Sequence, residues 1–464
     1  MVFSSLVFLC IFLPVVFFLH LALPGIRAKN IMLLIASLLF YGYGEPVYVL
    51  LMIFSAFANY LFALAVGRME QKKKIILAFA VILNLGLLVV YKYAGFLVSS
   101  INGMFGIGIP VPDIRLPIGI SFFTFQAMSY VIDVYRKVNP CQKNFGKVLL
   151  YISFFPQLIA GPIVKYHDIE REIGERKQTL PEVAEGIRQF IAGLSKKVLI
   201  ANTMAVAADT LFASPEGSIN IAVAWIGAVS YMLQIYFDFS GYSDMALGLG
   251  KMFGFHFKEN FNYPYSSGSI REFWRRWHIS LSSWFLEYLY IPLGGNRKGK
   301  VRTTINKFIV FLCTGIWHGA NVTFLFWGIF HGFFLMLEEW VPFFRKAGGK
   351  VKQTVMHIYT LLVVLVGFVF FRADTMAQGL YWVKELFTGF HFERAAQSLA
   401  LTQLTPLYLT VLAAGILAST PIREKVKRFK GYETFSYLVS MIFLVLCVLN
   451  LAGGTYNPFI YFRF

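Results

Sequence analysis

The sequence predicts an all-α polytopic membrane protein, a single domain over residues 1–464 built from about 10–13 membrane segments, some of them broken or re-entrant. Three observations predict it. Hydrophobic residues make up 57% of the chain and charged residues 14%, with a mean hydropathy of +0.63, more apolar surface than a soluble chain of this length can bury. The apolar residues gather in runs long enough to cross a bilayer. The formal charge of +18, from 42 Lys and Arg against 24 Asp and Glu, falls in short basic runs between those apolar runs. Such placement follows the positive-inside rule and argues against nucleic-acid binding as the reason for the charge.

Residues 2–23 form the first span, because no basic stretch precedes them, they exceed a signal-peptide core, and Arg27 and Lys29 follow. Placing those two cations inside puts the N-terminus outside, in the cell membrane. Residues 30–43 then go out, Gly44-Glu45-Pro46 breaks the helix, and residues 47–66 return to Arg68, Lys72, Lys73 and Lys74. Residues 75–91 leave again, and a Gly- and Pro-rich outer loop over 102–117 leads to the next span.

That span carries Ser121, Thr124, Gln126, Ser129 and Asp133, a polar load that a lipid-facing helix does not tolerate. The reading it favours is hydrogen bonding between helices, with substrate contact second. Next, YISFFPQLIAGPIVKYHD is interrupted by Pro156, Gly161 and Pro162 and reads as a broken or re-entrant segment covered by protein. Residues 168–188 are charged and amphipathic and belong on the cytoplasmic face.

Residues 219–249 give a long helix or pair holding Gln234, Asp238, Ser240 and Asp244. Gln234 and Asp238, four apart, share a face. With no His or further acid at ligand spacing, a clamp onto Arg or backbone is favoured over a metal site. Later come a span over 321–344 that opens at Asn321, the basic run Arg345, Lys346, Lys350 and Lys352, an outgoing span over 356–371, then Arg372 and Asp374. Residues 406–419 return to Arg423, Lys425, Lys427, Arg428 and Lys430, and residues 435–451 lead out to the tail GGTYNPFIYFRF. Cys10, Cys141, Cys313 and Cys447 lie too far apart for a disulfide framework or a CxxC site.

The chemistry concentrates in residues 271–332. REFWRRWH places Arg271, Arg275 and His278 at helical spacing, a face suited to anions, while Arg276, Trp274 and Trp277 add a guanidinium and two rings able to stack. Snorkelling flanks of a span are the alternative reading. His318 is different, since it lies between apolar runs with no charge until Glu338, and Gly315 and Gly319 leave room beside it. A neutral imidazole there can accept a hydroxyl proton as a general base, or it can be a hydrogen-bonded structural group of a bundle. There is no HExxH, GxSxG or GxxxxGK[ST], and His318 and His331, thirteen apart, fall on different faces of a helix, so neither a zinc site nor a hydrolase or P-loop ATPase is expected.

FWRRWHISLSSWFLEYLYIPLGGN, the later WHG, YFDFSGYSDMALG, FFPQLIAGPI and the closing NPFIYFRF together resemble the membrane-bound O-acyltransferase family, most of all its bacterial branch of alginate O-acetylation and teichoic-acid D-alanylation proteins. The resemblance implies a ring-like bundle of helices around a central tunnel joining a cytoplasmic acyl donor to an extracytoplasmic acceptor. It makes His318 the catalytic histidine of the family's WHG block and His278 its second histidine, orienting groups or polarising the thioester.

The activity it implies is transfer of a short acyl group, acetyl from acetyl-CoA or another thioester including a carrier protein's, to a hydroxyl of an extracytoplasmic polysaccharide or of a partner acetyltransferase. No bound cofactor or metal is expected. Arg271, Arg275, Arg276, Trp274 and Trp277 would meet the donor, and Gln234, Asp238, Ser240, Asp244 and Asn321 would be tunnel or structural polar groups. A transporter or flippase of an activated sugar or acyl lipid, D-alanyl transfer to teichoic acid, and a scaffold for an outer transferase are the competing readings.

Overall fold

The computed structural model describes residues 1–159, 161–345, 348–428, 430–454 and 456–460. Ala160 of the broken segment, Lys346 of the basic run, and Thr455 and residues 461–464 of the closing stretch lie outside them. The regular elements of the described residues are all helices, and eight helices are long and apolar enough to cross a membrane, or up to nine with the bent pair Arg394–Gln403 and Pro406–Ala418 counted as one. The first apolar run forms Phe8–Ala22, shorter than a full span, which is one reason this number is below the sequence count. Several helices turn large apolar side chains outward. In Tyr432–Ala452 only 6% of the apolar window is buried, and Leu438, Met441 and Leu449 project from it, as a lipid-facing helix requires.

Two compact units divide the chain. The first comprises Met1–Phe190 and Tyr242–Lys258. Its helices Tyr48–Arg68 and Lys73–Leu88 are joined by a reciprocal pair of amide bonds between Asn59 and Asn84, at 3.1 and 2.7 Å. The broken segment is observed as Phe145–Ser153 and Phe155–Leu158, buried from Val148 onward, with Ser37 Oγ accepting the Phe155 N–H at the break. The polar span Ile120–Tyr135 is buried as expected, but hydrogen bonding between helices does not account for all of it: Gln126 has no side-chain partner among the described residues. The amphipathic stretch forms Tyr166–Gly174 and then the start of a longer helix, Leu180–Phe212, which contains a segment apolar enough to cross a membrane.

The second unit comprises Ile191–Gly241 and Glu259–Phe464. The helices that carry the site are α1 (Ile221–Met252, whose first part belongs to this unit), α2 (Ile270–Arg276), α3 (Ile279–Phe285), α4 (Gly299–His318), α5 (Val322–Trp340) and α6 (Lys350–Arg372). The sequence SIRE starts α2: Ser269 Oγ accepts the Glu272 N–H at 3.0 Å, and Glu272 reaches back to the Gly268 N–H at 2.9 Å. Glu338 of α5 accepts the next two N–H groups, of Ile270 and Arg271, and so fastens α2 to α5 by its positive end.

Helices α4 and α5 form a hairpin whose turn is Gly319-Ala320-Asn321. Asn321 caps α5 by accepting the Thr323 N–H at 3.1 Å and donates to the Asp374 carbonyl at 2.9 Å, so its part is structural. The hairpin closes to backbone contact at two glycines. A Cβ on Gly315 would lie 2.4 Å from the Phe324 carbonyl oxygen, and one on Gly328 would lie 2.5 Å from that of Phe311. Those two positions flank the site, three residues from His318 and one from Trp327.

Candidate active site

His278 sits between α2 and α3 in a left-handed conformation, φ 45° and ψ 54°, that costs a non-glycine residue about 1–3 kcal/mol. The neighbouring chain imposes it. Asn262 N–H donates to the Arg276 carbonyl and Ile279 N–H to the Asn260 carbonyl, both at 2.9 Å, so two backbone rungs hold the residues on either side of the histidine. The bend also breaks the face expected of REFWRRWH: α2 ends at Arg276, Trp277 is extended, and His278 does not continue the row of Arg271 and Arg275.

The Asn260 carboxamide fixes the chemistry of His278. Its Oδ1 accepts the Ser280 N–H at 3.0 Å and the Ser280 hydroxyl at 2.9 Å, and it lies 3.2 Å from His278 Nδ1. A backbone N–H only donates, so the atom it meets is the oxygen, and Nδ1 must carry the proton. The lone pair is therefore on Nε2, which is buried and has no partner among the described residues. In this neutral form Nε2 accepts a hydrogen bond and cannot give one.

His318 ends α4 and is 8% exposed. Three rings surround it: Trp317 and Phe371 at 5.0 Å and Trp327 at 5.1 Å between centroids. His278 also meets Trp317, at 6.1 Å, and packs on Phe239 at 4.6 Å. The two histidines that the sequence singled out thus share one aromatic wall, Trp317. His331 joins it as well, 5.0 Å from Trp327. Thirteen residues would separate His318 and His331 on one continuous helix, but the Gly319–Asn321 turn reverses the chain and brings both against Trp327.

The residues assigned to the donor divide. Arg271 and Arg275 are exposed, whereas Arg276 is half-buried, paired with Glu272 at 2.8 Å and bonded to the Asn262 carbonyl. Trp277 is buried among Phe261, Phe273 and Phe368, and Trp274 among Phe311, Trp327 and His331. Of the polar set on α1, Asp238 is a clamp, on Lys197 at 2.8 Å and on the Ile460 N–H at 2.7 Å, so its partner is Lys rather than Arg. Lys197 in turn bonds Asn202 and the Pro458 carbonyl. Gln234 and Ser240 are buried nearby in sequence, and Asp244, in the first unit, accepts from Gln189 at 3.5 Å. Asn260, Trp327 and Lys197 are not legible in the sequence, since nothing in the order of residues ties them to His278, His318 or Asp238, whereas Trp317 directly precedes His318 in WHG. No group of three His, Cys, Asp or Glu gathers in metal-ligating fashion among the described residues.

The model of the membrane-bound O-acyltransferase family matches residues 135–377, a stretch that contains α2 to α6 and all three histidines. A probable alginate O-acetylase of Pseudomonas putida is 39% identical over the full length of both chains. The chain belongs to the membrane-bound O-acyltransferase family. It is an O-acyltransferase carried by several apolar helices. Other similar members include the peptidoglycan O-acetyltransferase of Helicobacter pylori, 35% identical over 83% of this chain and 79% of that one. The teichoic acid D-alanyltransferase of Bacillus subtilis is 28% identical over 54% of this chain and 65% of that one.

Proposed function

We propose that the protein moves an acetyl group from a cytoplasmic thioester, acetyl-CoA, to a hydroxyl of an extracytoplasmic polysaccharide or of a partner acetyltransferase that completes the transfer. His318 is the general base: its imidazole takes the proton of the attacking hydroxyl as the oxygen adds to the thioester carbonyl, and the thiolate leaves. His278 orients the reacting groups through the lone pair on Nε2. The polarising role that the resemblance also allows is the weaker one, because an Nδ1–H imidazole has no Nε2 proton to give a carbonyl. Arg271 and Arg275, exposed at the start and in the last turn of α2, are the cations offered to the donor's phosphates.

The observation that carries this reading is the burial of His278 and His318 against one shared ring, Trp317, with the tautomer of one fixed by Asn260. The full-length similarity to proteins named alginate O-acetylase supports acetyl over other acyl groups and a polysaccharide acceptor. Acetyl-CoA labelled separately in acetyl and CoA tests it in sealed vesicles. Acyl transfer delivers the acetyl label to the far side and leaves the CoA label behind, whereas a transporter moves both. Delivery from a D-alanyl carrier protein but not from acetyl-CoA would turn the assignment toward D-alanyl transfer.

A further inference from the structure

His331 has no part in the reaction just described, yet it is fully enclosed, and neither ring nitrogen meets a partner among the described residues. Its walls are Trp274 at 5.0 Å and 87°, Trp327 at 5.0 Å and 70°, and Phe330 at 5.5 Å and 89°. The backbone of α6 approaches at Gly367, where a Cβ would lie 2.6 Å from His331 Nε2. The bare glycine is what admits the imidazole. Both indoles are in the same condition as the histidine, since Nε1 of Trp274 and of Trp327 is buried without an acceptor among the described residues. Their rings meet at 5.4 Å and 81°, so the three side chains form a closed triangle.

Interiors rarely leave several polar groups unbonded in one place, because each loses its hydration with no return. Packing alone would be met better by Phe, which has nothing to satisfy. Two indole N–H donors beside an imidazole, which offers one donor and one acceptor, complement a neutral group that itself both accepts and donates. A charged group would find no counter-ion among these three rings.

We propose that Trp274, Trp327 and His331 form a subsite of the acyl-transfer site that takes a neutral amide or hydroxyl of one of the two substrates. The inference rests on the acyl-transfer reading, because Trp327 is also the ring packed against His318. The shared chemistry has two sources: the amides of a thioester donor's pantetheine arm, or the hydroxyls of a sugar acceptor.

His331→Phe keeps a ring of similar size and removes both nitrogens, and it is compared with wild type in full-length purified protein using acetyl-CoA and alginate oligosaccharides. The variant unfolds at the wild-type temperature or above, and its KM rises about tenfold, equivalent to about 1.4 kcal/mol, with kcat changed far less. A rise in the KM of acetyl-CoA assigns the subsite to the donor, and a rise in that of the oligosaccharide assigns it to the acceptor. Unchanged KM values for both, or a fall in kcat alone, overturn the proposal.

Wild-type transfer in the same assay reports separately on the acyl-transfer reading. Thermal stabilisation by CoA and by the oligosaccharide judges the subsite even where wild type transfers nothing, since His331→Phe must lose one of the two and retention of both overturns it. If His331→Phe does not fold, His331→Gln, which keeps a donor and an acceptor, takes its place. A KM and a stabilisation closer to wild type than those of His331→Ala are then expected, and equal losses in the two variants overturn the subsite.

Discussion

The carboxamide oxygen of Asn260 lies 3.2 Å from His278 Nδ1 while also accepting from the Ser280 backbone, and so leaves the imidazole lone pair on Nε2. Asn260→Leu removes the acceptor shared by three donors. The cost to stability is about 1–3 kcal/mol for the buried donors left unpaired. Acyl transfer falls by about tenfold or more as His278 loses its fixed tautomer. Thermal unfolding and transfer kinetics check the two together, and a variant with both at wild-type values removes the positioning role of Asn260.

Lys197 and Asp238 are both buried and 2.8 Å apart. Replacing one partner leaves the other charge uncompensated, so Lys197→Met or Asp238→Leu is destabilised by about 3–5 kcal/mol, whereas the double variant recovers much of that loss. Denaturation of the four proteins in a mutant cycle measures the coupling. Additive losses would show that the pair is not a unit.

How much of this was legible in the sequence follows from the range of the forces involved. Apolar runs and basic flanks are local, and most of the helices they predict are observed; the break just before Pro156 and the load of polar residues over 120–135 are equally local signals. His278 and His318 were legible because each interrupts an apolar or aromatic pattern. Asn260 was not, since it lies eighteen residues before the imidazole it orients and carries an ordinary loop residue's identity. Lys197 belongs to no motif, and only the folded chain brings it to Asp238. His331 is not legible beside His318, because helical periodicity over 318–331 puts the two on different faces while the chain in fact reverses at Gly319, a break that the apolar composition on both sides conceals.

The glycine contact between α4 and α5 gives a third prediction. Gly328→Ala puts a methyl group 2.5 Å from the Phe311 carbonyl, where backbone cannot yield without moving the hairpin. Overpacking of this kind costs about 1–3 kcal/mol and displaces Trp327 from His318, so transfer falls more than stability alone explains. Gly86→Ala, where a Cβ would meet nothing within 4 Å, serves as the control and is expected to be near neutral.

A pH dependence of stability is expected outside the membrane spans. The Asp133 carboxylate, 3.0 Å from His167 Nδ1, raises the pKa of that imidazole above its ordinary value of 6.5. A raised folded-state pKa contributes its full stabilisation below about pH 6.5 and loses it as pH rises through the raised value. Thermal midpoints of wild type therefore decline across that window, and His167→Gln flattens the decline. Identical pH profiles for the two proteins would contradict the assignment.

The most direct measurement is the movement of labelled acetyl from acetyl-CoA across sealed vesicles carrying wild type or His318→Ala. The account predicts a loss of about 10²–10⁴-fold in the variant, with membrane insertion and unfolding temperature unchanged. A folded His318→Ala that delivers acetyl at the wild-type rate would contradict it.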